Sequence, residues 1–143
     1  MRKLALVAFG LVLLLAPLQA ATGTVTVTGP FDDVYTIAWT SGSGTVSDHP
    51  FTVHRGMIAQ VTFIPGSGGT QPTDLYDVTL VDANGTDLLN GLGADRSNTP
   101  SGTASSPNVI TELNILLKTG TTLDLVVANA GTSKTGTVYV WVR

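Results

Sequence analysis

The sequence predicts an all-β protein, a single antiparallel β-sandwich of jelly-roll or immunoglobulin-like topology, preceded by an N-terminal signal-peptide helix. Three observations predict it. Short runs in which apolar and polar residues alternate recur between clusters of Gly, Pro, Asn, Asp and Ser. The composition is 43% hydrophobic but only 12% charged, with Thr and Val filling the gap, which suits pleated, half-buried surfaces. Outside the ambiguous segment 108–117, no sustained helical periodicity occurs between residues 22 and 143.

In chain order, TVTVT over 24–28 alternates without a break and stops at Gly29-Pro30. VYTIAWT over 34–40 ends in the turn-forming Ser41-Gly42-Ser43-Gly44. FTV at 51–53 lies between Pro50 and Gly56, and MIAQVTFI over 57–64 stops at Pro65-Gly66. Strands over 75–81 and 86–89 flank a turn, and LDLVVA over 123–128 and TVYVWV over 137–142 close the chain. NVITELNILL over 108–117 fits either a helix face or a strand face. Its β-branched residues and its all-β surroundings favour a strand, with Val109, Leu113, Ile115 and Leu117 on one side. The segments 66–73 and 97–107 read as solvated loops.

Arg2 and Lys3, a nearly unbroken apolar run over 4–16, Pro17 and the small residues around Ala20-Ala21 have the anatomy of a secretory signal peptide over 1–21. The run is shorter than the ~20 residues that span a bilayer. The expected mature unit is therefore one domain, 22–143, secreted or periplasmic, with no membrane contact after cleavage. Cysteine is absent, so no disulfide or thiolate site exists and the domain must rest on its apolar core. A net charge of -3 with scattered Lys and Arg excludes a nucleic-acid backbone as partner.

The turn Asp82-Ala83-Asn84-Gly85-Thr86-Asp87 raises a choice between a cation site and a hairpin. Asp82, Asn84 and Asp87 would be the ligands, but an EF-type loop needs an oxygen at its fifth position and Gly at its sixth, where Thr86 and Asp87 stand. A three-residue hairpin loop with Gly85 in the left-handed bulge position fits better and sets Leu80 opposite Leu88. It leaves no metal and no cofactor to be expected. Asn84-Gly85-Thr86 is also a glycosylation sequon.

The histidines His49 and His54 fall on opposite faces of an extended segment and read as solvated loop-edge residues. Asp32-Asp33 reads as a turn, and Asp74 and Asp77 as surface carboxylates, with Asp77 alternating outward from Tyr76 and Val78. No Gly-x-Ser-x-Gly elbow or phosphate loop is present. No enzymatic constellation emerges. Tyr35 and Trp39 share one strand face and Tyr139 and Trp141 another, so Tyr35, Trp39 and Trp141 are the residues that would stack on a surface glycan.

The block over 55–97, with the phrases PTDLYDVTLVDANG and GLGADRS, and VVANAG near the C-terminus resemble small, uncharacterised β-rich proteins of tailed phages and prophages. The resemblance implies a virion-associated or accessory structural protein and transfers no functional residue. The signal peptide departs from it, because virion parts are normally assembled in the cytoplasm. The expected function is assembly or surface binding without chemistry, through self-association or other structural subunits. A secreted carbohydrate-binding module is the alternative.

Overall fold

The structure is a computed structural model that describes residues 22–100 and 108–143. The expected signal peptide over 1–21 lies outside them. Among the described residues eight strands form: β1 (Thr24–Phe31), β2 (Val34–Thr40), β3 (Phe51–Val53), β4 (Gly56–Pro65), β5 (Asp77–Asp82), β6 (Val109–Leu117), β7 (Thr121–Ala128) and β8 (Thr135–Val142). A short 3₁₀ turn, Gly68–Thr70, interrupts the loop after β4. The strands build two antiparallel sheets, ordered β1-β2-β8-β4-β6 and β3-β7-β5.

The pairing has a simple plan. Val34 faces Trp141, Phe51 faces Leu123, Gln60 faces Thr111 and Val81 faces Asp87. Each early segment thus pairs with its mirror image about the turn at 83–85. The chain is one long hairpin, and further pairings of β4 with β8 and of β5 with β7 roll it up.

Alternation within the strands supplies the core. Tyr35, Ile37 and Trp39 of β2, Val138 and Val140 of β8, and Val61 and Phe63 of β4 are buried on the inner face of the larger sheet. Val78 and Leu80 of β5 and Leu123, Leu125 and Val127 of β7 meet them from the smaller one, and all belong to one apolar cluster. Each such side chain contributes about 1.5–3 kcal/mol by leaving water. Trp39 and Tyr76 pack with ring centroids 5.9 Å apart. Gly136 lies so close to Trp39 that a Cβ there would stand 2.5 Å from the indole Cζ2.

Four expectations are corrected. Residues 86–89 do not continue as a strand: one bridge, Val81 to Asp87, is followed by turns at 88–93. The strand expected over 75–81 begins at Asp77, because Leu75 has φ 63°, off the extended path, and is exposed. Residues 108–117 do form a strand, but Glu112 and Asn114 take positive φ and bulge it, shifting its register against β4. The bulge flips the alternation, so Ile110 faces the core in place of Val109, which is 43% exposed. The loop expected to be solvated over 97–107 also has a buried anchor in Ser97; residues 101–107 lie outside the described part.

Arg96 is buried beside this core. Its guanidinium donates to the Ala94 carbonyl and lies 5.1 Å from the centre of the Phe63 ring. Burial lowers the Arg96 pKa from its ordinary value. Burial also pushes the Tyr76 phenol up to about 12, against the opposing pull of Arg96.

Two predictions follow from this packing. The folded state holds the Tyr76 proton above the pH where the unfolded phenol titrates, near 10. Its contribution is whole below pH 10 and is lost as pH rises from about 10 to about 12. At ~1.4 kcal/mol per pH unit that is about 3 kcal/mol, and Tyr76→Phe should flatten this part of a stability-against-pH curve measured by urea denaturation. Gly136→Ala should cost about 1–3 kcal/mol by overpacking, read from the same denaturation midpoint.

Candidate functional site

The turn between β5 and Asp87 closes as a three-residue loop. The Gly85 N–H donates to the Asp82 carbonyl at 2.9 Å, and the Asp82 N–H donates to the Thr86 carbonyl at 3.0 Å. Gly85 has φ 78°, the left-handed bulge position, and Leu88 donates to the Leu80 carbonyl, as the expected register requires.

The acidic candidates act on the backbone. Asp82 Oδ1 accepts the N–H groups of Asn84 at 2.8 Å and Thr86 at 2.9 Å, and Oδ2 accepts the Asn84 amide at 3.2 Å. These bonds, the Thr86 N–H first, hold its pKa below the usual carboxylate value. Asp87 Oδ1 accepts the Leu89 N–H and Oδ2 the Gly91 N–H, at 2.9 and 2.8 Å, which fixes the turns that follow. Asp74 accepts the Asn98 N–H, and Asp77 the Asp95 N–H and the Asn129 amide. Asp124, not singled out from sequence, accepts the N–H groups of Asp48 and His49. Asp32 and Asp33 both take positive φ and form the two-residue turn between β1 and β2. Among the described residues no group of three or more His, Cys, Asp or Glu is placed to hold a metal.

The histidines separate. His54 is exposed and its N–H donates to the Tyr35 hydroxyl at 2.8 Å. His49 is half-buried rather than solvated, with Nε2 at 3.2 and 3.1 Å from the carbonyls of Thr22 and Gly23. The aromatic candidates separate too. Tyr35 and Trp39 are 2% and 3% exposed and belong to the core, so neither ring offers a stacking face, whereas Trp141 is 43% exposed.

What the structure brings together is the outer face of the larger sheet. Cross-strand pairing lays its residues in rows. Thr24, Thr40 and Thr135 form the first, and Thr26, Ala38, Thr137 and Ile64 the second. Thr28, Thr36, Tyr139, Thr62 and Val109 form the third. Phe31, Val34, Trp141, Gln60 and Thr111 form the fourth. None of these positions carries a charge. Hydroxyls crowd one end, and the other exposes Phe31, at 74%, in the same row as Trp141 with Val34 between them. A shallow groove of about 290 Å³ crosses the hydroxyl end, lined by Thr24, Thr26, Thr40, Thr135, Thr137 and Ile64 among others.

The alternations TVTVT and TVYVW carry this face in the sequence. Its lack of charge emerges only once the strands are placed side by side. Comparison with models of protein families, with curated proteins and with solved structures found no match. Among the described residues no helix is long and apolar enough to cross a membrane.

With both Asp82 and Asp87 engaged by backbone N–H groups, calcium at up to millimolar concentration should leave the melting temperature unchanged. Gly85→Val should cost about 1–3 kcal/mol through backbone strain alone, since nothing lies within 4 Å of the added Cβ. Thermal melts of the two samples check both outcomes.

Proposed function

We propose that this protein is a non-enzymatic assembly or surface-binding subunit, exported or virion-associated, whose contact surface is the uncharged part of the larger sheet's outer face, formed by β1, β2, β8 and β4. We read the architecture as a jelly-roll sandwich: the nested pairs β2–β8, β3–β7, β4–β6 and β5 with 86–88, rolled by β8–β4 and β7–β5, favour it over an immunoglobulin-like arrangement. Jelly rolls recur in capsid and lectin domains, so the fold is compatible with both the assembly reading and a glycan-binding one without choosing between them.

The observation that carries the assembly reading is the missing charge. A sheet face that stays in water usually alternates charged and polar residues outward, and interface cores are depleted of charge while favouring Tyr, Trp and Phe. Here the solvent side of β1, β2, β8 and β4 is hydroxylated and apolar instead, with Glu112 set apart on the β6 edge. Burying a threonine row costs far less than burying Lys or Glu, whose ionised heads must be stripped of water. The acidic candidates support the non-enzymatic part, because their oxygens are committed to turns.

One observation favours the second reading, a carbohydrate-binding module. Phe31, Trp141 and Tyr139 stand at one end of the face and two of them are largely open to stacking.

Placing a charge in the middle of the face tests the first reading. Thr137→Lys should abolish co-sedimentation with assembled particles, or self-assembly followed by light scattering, while changing folding stability by under about 1 kcal/mol. Assembly unchanged by that variant would sink it. Saccharide binding that is lost in Trp141→Ala but kept in Thr137→Lys would select the module. Mass spectrometry of particles, medium and periplasm would then fix where the protein works and whether residues 1–21 are removed.

A further inference from the structure

The two sheets have four edges, and three carry devices that block pairing. β3 is only three residues long. β5 is partly covered by the bridge from Val81 to Asp87. β6 is bulged by Glu112 and Asn114, both at positive φ, with Glu112 adding a charge. Such short, covered, bulged or charged edges are how sheet proteins avoid open-ended association.

β1 is different. Its own bulge and proline are confined to one end, at Gly29-Pro30. Among the described residues nothing pairs with the outer edge of 24–28, which is regular, extended and without Lys, Glu or Pro. Thr24, Thr26 and Thr28 are exposed, and Val25 and Val27 are only partly covered by the core.

We propose that β1 is a pairing edge whose partner is β1 of a second copy of this chain, joined antiparallel about a twofold axis through Thr26. The sequence of the edge selects that partner. TVTVT reads the same in both directions, so an antiparallel twofold pairing sets Thr26 against Thr26, Val25 against Val27 and Thr24 against Thr28. Every threonine then lies on the outer face and every valine on the inner one in both copies. Thr–Thr and β-branched pairs are favourable cross-strand neighbours, and no like charges meet. The contact is self-complementary, as a twofold interface requires. It would also cover Val25 and Val27 and join two uncharged faces into one surface twice as wide. The proposal deepens the assembly reading and rests on it.

The absence of cysteine supplies the test. Opposed residues in antiparallel strands have Cα atoms roughly 4.5–5.5 Å apart, within the roughly 4.4–6.8 Å that a disulfide spans. Thr26→Cys should therefore cross-link to a dimer under mild oxidation, at least tenfold faster than Thr24→Cys, whose partner is Thr28, or Thr111→Cys on the bulged edge. Thr26→Lys should weaken the wild-type dimer at least tenfold in sedimentation equilibrium, and mixing it with Thr26→Glu should restore a heterodimer. Rescue by the mixture separates repulsion from misfolding.

A wild-type chain that stays monomeric would overturn the proposal, as would a dimer with no preferential linking at position 26. A monomer whose β1 edge is held by its own N-terminal segment falls in the first class. Failure here is separable from failure of the assembly reading. The Thr26→Cys cross-link reports the edge alone, whereas Thr137→Lys lies at the middle of the sheet and reports the face.

Discussion

The constraint on which the rest depends is the mirror pairing of the chain about the turn at 83–85. A one-residue slip in any strand pair would turn its apolar side chains to water. Here that register is fixed at the tip by a three-residue loop and by the Asp82 carboxylate, which holds the N–H groups of Asn84 and Thr86. From there the chain pairs with itself outward, β4 with β6, β3 with β7 and β2 with β8, each pair centred within a few residues of Gly85. β8 thereby lands between β2 and β4, in the middle of the larger sheet. β1 precedes the paired part and, among the described residues, pairs only with β2 at the edge of the larger sheet. Its edge position follows from the wiring, and the residues that occupy it are suited to being paired.

The same wiring explains how a chain with so few charges distributes them. Loops between distant strands must satisfy their own backbone donors, and a carboxylate can accept two or three of them at once. Asp82, Asp87 and Asp124 each accept at least two backbone N–H groups and Asp74 and Asp77 one each; all but Asp124, which projects from within β7, stand at a loop or strand end. With its acids occupied in this way, the chain presents threonine on the wide sheet face. Low charge in the composition and the charge-free face of β1, β2, β8 and β4 are one fact at two levels.

Much of this was legible. Alternation located the strands because one face of each is buried, and that rule holds wherever the backbone stays regular. It failed at Glu112 to Asn114, where two positive-φ residues exchange the inner and outer sides and put Ile110 where Val109 was expected. It failed at 86–89, where Asp87 draws the chain into turns after a single bridge. The hairpin loop was readable because Asp and Gly carry local conformational preferences. Tyr35 and Trp39 could not be assigned to core or surface by parity alone, since alternation says which residues share a side and not which side faces inward. The rows on the outer face depend on pairings across about a hundred residues, such as Ala38 with Thr137, and no local signal records them.

A face of this kind has to be compatible with water before it is compatible with a partner. A broad apolar face would associate indiscriminately, and a charged one would resist burial. Threonine sits between these limits: its hydroxyl keeps the free sheet hydrated, while its methyl and β-branch favour extended backbone and pack when water leaves. The penalty then falls on poor partners, because each buried hydroxyl left without an acceptor costs roughly 1–3 kcal/mol. Flanking that lattice with Phe31 and Trp141 at one end adds apolar area where it can anchor a contact without spreading over the sheet. Specificity in such a surface comes from hydrogen-bond matching across rows whose spacing the pairing of β1, β2, β8 and β4 has already set. On the proposed assembly reading, a second sheet of the same spacing is the partner best able to meet it.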